Sequence, residues 1–212
     1  MLSPVGWPEV FRPRSACASG ARGAVAWVTV VVMATPPVFD PDQSWAALDR
    51  RLEAEKDPRR RQLLTQVRDH MCAEITGRLD ELMATLTDEP QYHFRGVGFD
   101  MGPKGREAVH TFYAEMIANG GNRFMFDVQR IVVDEHAVVT EGFMRAATSG
   151  ADLIATGVTE VEERPVEADA RYLSENRILT VWPADESGRL IGEDIWFGST
   201  PNSSLIRLPE EA

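Results

Sequence analysis

The stretch FMFDVQRIVVDEHAVVTEGFM, residues 124–144, decides how the chain folds. Apolar and polar residues alternate along both arms, and Asp134-Glu135-His136 breaks the pattern between them, so the spacing predicts an antiparallel hairpin. Working outward, Tyr172 to Trp182 and Leu190 to Phe197 repeat the period of two around Asp185-Glu186-Ser187-Gly188, which predicts a second hairpin. Upstream the period is that of a helix. Ser44 to Glu55 opens on a serine suited to an N-cap. Leu64, Val67, Met71 and Ile75, then Leu79, Leu82, Met83 and Leu86, mark a long helix broken or kinked at Gly77. Gln91 to Phe94 is a short strand, and Arg106 to Asn119 puts Val109, Phe112, Tyr113, Met116 and Ile117 on one helical face before Gly120-Gly121 stops it. Helices first and meandering strands after predict an α+β domain: a curved mixed or antiparallel sheet with the N-terminal helices packed on one face.

The chain has 212 residues and a formal net charge of -11, with no Lys/Arg stripe, so nucleic acid is excluded as a partner. Cys17 and Cys72 have neither metal-knuckle nor redox spacing, which fits a reducing, cytoplasmic setting. Residues 1–40 read as a disordered or misassigned extension, with Met33 as an alternative start. The apolar run from Ala24 to Ala34 is far shorter than the ~20 residues that span a bilayer, so no membrane is expected. Secretion would follow only if the extension is a true signal. Residues 41–200 are expected to form the domain, 147–170 an acidic insertion and candidate pocket lid, and 201–212 a tail.

The candidate site comes from charges among strand hydrophobes. Val139-Glu141-Phe143, Arg177-Leu179-Val181 and Glu193-Ile195-Phe197 each place one ionisable group on an apolar strand face. If these faces share one interior, Glu141, Arg177 and Glu193 form a buried network, because an unpaired buried charge costs several kcal/mol. Two acids and one arginine leave a surplus negative charge. His70 protonated, or a glutamate kept neutral by a raised pKa, would balance it. His70 and Glu74 lie four apart on the long helix, and Tyr92 shares strand parity with Phe94. Glu193 or Glu141 is thus the expected base, Arg177 its orienting partner and His70 the acid or anchor. Tyr92, Glu74, Phe143, Ile195 and Phe197 are the expected lining of a pocket for a small hydrophobic molecule. A third ligand to join His70 and Glu74 is not visible at comparable spacing, so neither metal nor other cofactor is expected.

The runs AEITGRLDELMATLTDEPQYHF, KGREAVHTFYAEMI and DESGRLIGEDIWFG together resemble the SnoaL-like group of the nuclear transport factor 2-like superfamily, over roughly Leu64 to Gly198. The resemblance implies a cone-shaped fold, a homodimer, and cofactor-independent acid/base chemistry of the isomerase, dehydratase, cyclase or epoxide-opening kind. The superfamily also includes non-enzymes, so a ligand-binding or dimerisation module is the alternative. Against the ketosteroid isomerase pattern, His70 stands where a tyrosine is expected. His93-Phe94 and Asn176-Arg177 stand where the two aspartates would be, which argues against that mechanism. The limonene epoxide hydrolase pattern, an arginine between two aspartates, is imitated by Arg177 with Glu193 and either Glu141 or Glu175.

Overall fold

The computed structural model describes residues 39–96, 100–198 and 204–209. The expectation for the extension therefore falls almost entirely outside the described residues. After a 3-10 turn at Pro41–Gln43 come α1 (Ala46–Ala54), α2 (Pro58–Ile75), α3 (Leu79–Ala84), β1 (His93–Arg95) and α4 (Arg106–Ala118). β2 (Phe124–Val133), β3 (Ala137–Ser149), α5 (Gly150–Ala155), β4 (Glu160–Val161), β5 (Arg164–Pro165), β6 (Arg171–Pro183), β7 (Asp194–Phe197) and β8 (Leu205–Arg207) follow.

Local chemistry sets these boundaries. Asp57 caps α2 by accepting from the Arg60 amide, and Pro58 occupies the first turn, where its missing N–H costs nothing. At the other end Gly77, at φ 72°, lets its own N–H reach Glu74 O (3.0 Å) and the Arg78 N–H reach Ala73 O (2.8 Å). This paired C-cap is the break expected at the glycine, and it separates α2 from α3. Ser44 lies one residue before the N-cap of α1, which is Trp45; its hydroxyl donates to Pro41 O and accepts from the Phe126 amide.

The sheet is curved and mostly antiparallel, in the order β1-β7-β6-β3-β2, with β1 parallel to β7 and β8 added to the start of β6. Its inner face is covered by helices. Leu63, Leu64, Val67 and Ile75 of α2, Leu82 of α3 and Val109 of α4 join Val138 and Trp182 in one core. Each such aliphatic side chain contributes about 1.5–3 kcal/mol by leaving water. Two sequence expectations change. Residues 147–170 begin as the end of β3 and continue through α5 and the β4–β5 hairpin, packed on their own cluster of Leu153, Val161 and Tyr172. The tail is not wholly separate either, since Leu205–Arg207 pairs with Tyr172–Ser174.

Candidate active site

A cavity of about 270 Å³ lies between α2, α4 and the inner face of the sheet. Most of its wall is hydrocarbon and aromatic ring, from Phe94, Phe112, Phe126, Trp182, Ile195 and Phe197 among others. Its polar groups are Glu74, Tyr92, Tyr113, Thr180 and Glu193, and no Lys or Arg lines it among the described residues.

Glu193 precedes β7, and its Oε1 accepts from the Tyr113 hydroxyl at 2.9 Å. Tyr113 projects from α4, and its oxygen lies 3.1 Å from the Tyr92 hydroxyl and 3.2 Å from His70 Nε2. His70, on α2, is 0 % exposed. The hydrogen placement follows from its other nitrogen. The Thr85 hydroxyl donates to Leu82 O (2.6 Å), so its oxygen can only accept from His70 Nδ1, also at 2.6 Å. Nδ1 therefore carries a hydrogen, and the Nε2 lone pair points at the two phenols and at Glu193 Oε1, 3.3 Å away. A proton on Nε2 makes that contact an ion pair; without it, the Tyr92 hydroxyl, 3.4 Å away, is the donor to Nε2.

Glu74 sits one turn beyond His70 and is 9 % exposed. Among the described residues no group hydrogen-bonds to its carboxyl. Burial, and secondarily the neighbouring charge of Glu193, push it well above the usual carboxylate range. Burial and then Glu193 likewise push Tyr92 and Tyr113 up, so both remain phenols able to donate. His70, Glu74 and Glu193 each bring one donor atom within 4.8 Å of the others, a spacing that a cation could bridge. Two of the three are already engaged by the tyrosine hydroxyls, so the present arrangement is a proton network.

Of the residues singled out by sequence, Glu193, Glu74, Tyr92, Ile195 and Phe197 line the cavity, and His70 stands behind its polar end. Glu141, Arg177 and Phe143 do not line it, which corrects the reading of three faces sharing one interior. On β6 the cavity face carries Ile178, Thr180 and Trp182, and on β3 it carries Met144 and Ala146. Arg177 instead bonds Glu141 on the opposite face, where Arg130 adds a second contact to Glu141 at 2.9 Å. The Arg177 side chain is 47 % exposed, and its guanidinium lies over the Phe143 ring at 4.9 Å. Hydrogen bonding from Arg177 holds Glu141 below the usual carboxylate range, the reverse of what an acid/base residue needs. Glu175 pairs with Arg145 (2.7 Å), which also bonds Asp127 (3.0 Å), so it takes no part in the cavity.

The reason is parity. Both faces of β3 and β6 are rich in hydrophobes, and the buried face of β3 carries the polar Thr140, satisfied by the Trp182 indole N–H at 2.9 Å. Alternation alone therefore points both ways. Tyr113, Thr85 and Trp182 were not among the sequence candidates. Tyr113 shows no signal beyond its place on the apolar face of its helix, and the role of Thr85 depends on a contact across 15 residues.

The fold and this cavity define an α+β pocket protein. Residues 67–170 match the model of the SnoaL-like domain, and the chain carries a SnoaL-like domain of the nuclear transport factor 2-like superfamily. No curated protein matches the chain. Among solved structures, a protein from Shewanella putrefaciens CN-32 described as a SnoaL-like polyketide cyclase has a TM-score of 0.50 at 12% identity, covering 77% of this chain and 91% of its own. Another so described, from Jannaschia sp. CCS1, has a TM-score of 0.49 at 16% identity over 68% of this chain and 90% of its own. An epoxide hydrolase/cyclase-like enzyme of pyran ring formation in the polyether salinomycin has 0.46 at 11% identity, over 69% and 95%. At these identities the likeness concerns the fold alone.

Proposed function

We propose that the cavity binds a small hydrophobic molecule and acts on it by cofactor-independent acid/base chemistry. One observation carries the reading: two carboxyl groups meet at the polar end of a mostly apolar cavity, one hydrogen-bonded by Tyr113 and the other without a hydrogen-bond partner among the described residues. Glu193 is the base, held by Tyr113 beside His70. Glu74, kept protonated by burial and by Glu193, is the acid that delivers a proton to the ligand's oxygen. Separation of roles between two neighbouring carboxyls suits dehydration, isomerisation, cyclisation or epoxide opening.

The test is turnover of small epoxides, β-hydroxyketones and enolisable ketones by the wild-type chain and by Glu193→Gln and Glu74→Gln variants. A loss of at least 100-fold in each folded variant is expected, in line with the contribution of a general acid or base. Full activity in either variant overturns the assignment of that residue. Beside this stands the alternative of a non-catalytic binding module, favoured by the outward turn of Arg177 and Glu141, which makes two of the three strand charges architectural. The outer face also exposes Trp196 and Val132, at 39 % and 56 %, and is the surface we assign to the homodimer expected by resemblance. Sedimentation of the wild type against a Trp196→Glu variant tests that assignment.

A further inference from the structure

Among the described residues the cavity has a surplus of acceptors and no positive side chain. Anionic ligands are thereby disfavoured, since the guanidinium groups of Arg145 and Arg177, on two of the cavity strands, engage acids on the other face. Glu74 is nine-tenths buried, opens on the cavity and, among the described residues, has no hydrogen-bond donor to its carboxyl. Its carboxyl oxygen lies within 4.8 Å of that of Glu193. Two charge-assisted N–H···O bonds of ~2.8 Å leaving one nitrogen at the tetrahedral angle span about 4.6 Å. One ammonium nitrogen can therefore bridge two acids held no farther apart than about this, with a hydrogen for each.

The walls decide which cation. A hydrated divalent ion would press its remaining water ligands against Phe94, Phe112, Phe126 and Trp182, which offer them no acceptor. An organic ammonium presents hydrocarbon to the same rings, and the ring faces attract its positive end. We infer that the preferred occupant is a lipophilic primary or secondary amine, its ammonium seated between Glu74 and Glu193 and its hydrocarbon body against the aromatic wall. The inference rests on the reading of the cavity as a ligand site; an amine so seated engages both carboxyls, so it occupies the site in place of an oxygen-bearing substrate and is not itself turned over by the Glu74 acid and Glu193 base. Binding is an exchange: the carboxyl proton of Glu74 leaves to solvent as the ammonium arrives. The other titratable groups facing this point are Glu193, His70 from the same helix, Tyr92, and Tyr113 from α4.

Calorimetric titration of the full chain at pH 7 with 2-phenylethylamine and with its neutral isostere 2-phenylethanol, in two buffers of different ionisation enthalpy, tests the inference. The amine is expected to bind at least tenfold more tightly, with release of about one proton, and the alcohol with release of none. Glu74→Gln, checked for fold by circular dichroism, should cut amine affinity at least tenfold and alter alcohol affinity less than threefold. The proton count is read on the wild type, so it stands even if the variant does not fold. Alcohol binding as tight as amine binding, or amine binding without proton release, overturns the inference and leaves the cavity as a site for neutral ligands. If neither compound binds, the ligand-site reading falls and the inference with it.

Discussion

Replacing Tyr113 by Phe removes a single oxygen from the centre of the buried network and leaves its ring in place. The ring contacts with Tyr92, His70 and Phe112, at centroid separations of 5.8, 5.9 and 5.3 Å, survive the change. What is lost is the 2.9-Å hydrogen bond to Glu193, together with the oxygen that sits 3.1 Å from the Tyr92 hydroxyl and 3.2 Å from His70 Nε2. A hydrogen bond to a charged group contributes ~1.5–3 kcal/mol, so a loss of about 2 kcal/mol is expected. For a chain of this length that lowers Tm by roughly 4–8 °C. Tyr92→Phe is the internal control. Its hydroxyl lies 3.4 Å from Nε2 and 3.1 Å from the Tyr113 oxygen, and its interaction with Glu193 is secondary to the 2.9-Å bond from Tyr113, so its loss should cost about 1 kcal/mol, the usual figure for a neutral pair. Urea unfolding followed by tryptophan fluorescence measures both. Equal costs, or a greater cost for Tyr92, would refute the placement of Tyr113 as the donor that holds Glu193.

Glu74→Gln should gain stability relative to wild type as pH rises. A raised folded pKa means the carboxyl's contribution is intact below its ordinary ~4.3 and is lost as pH climbs through the folded value, so the Tm difference between variant and parent should grow from pH 5 to pH 9. A flat difference would count against burial of this group. Glu55 has the opposite sign, because the Asp57 amide, then Arg51 and the Lys56 amide, lower it to about 2. Glu55→Gln should therefore destabilise at pH 7, with a gap that closes as pH falls from 4.5 towards 2. Arg177→Met removes a half-exposed ion pair and should cost less than about 1 kcal/mol by denaturant unfolding, with ligand affinity unchanged. Gly142→Ala would set a Cβ 2.1 Å from the Asp127 carbonyl oxygen, and a thermal melt should show a loss of roughly 1–3 kcal/mol.

How much of this was legible in the sequence depends on the kind of signal. The order of elements was, because the change from a period of 3.6 to a period of two at Arg123 is physical, and the glycine that divides α2 from α3 sits where the apolar repeat is interrupted. The cavity face around β7 was also legible. Glu193, Ile195 and Phe197 share a parity opposite the charged Asp194, whose neighbours on that side include His93 and Arg95. On β3 and β6 the choice of face was not, since Val139 and Phe143, or Leu179 and Val181, are as apolar as the residues that turn inward. Only the helices packed on the inner side select the parity, and that is a tertiary fact. The Thr85 to His70 contact is hidden for the same reason: a threonine after a short helix gives no hint that its hydroxyl fixes a histidine on another.

Strand β6 writes two texts on one backbone. Its odd-numbered residues from Glu175 to Val181 face away from the cavity, while Ile178, Thr180 and Trp182 shape it. Selection on surface charge and selection on ligand fit can accordingly proceed on alternate letters without colliding. Deletion of Asn176 with the upstream pairing kept, by contrast, would exchange the two scripts beyond that point and turn the Arg177 guanidinium towards the aromatic rings.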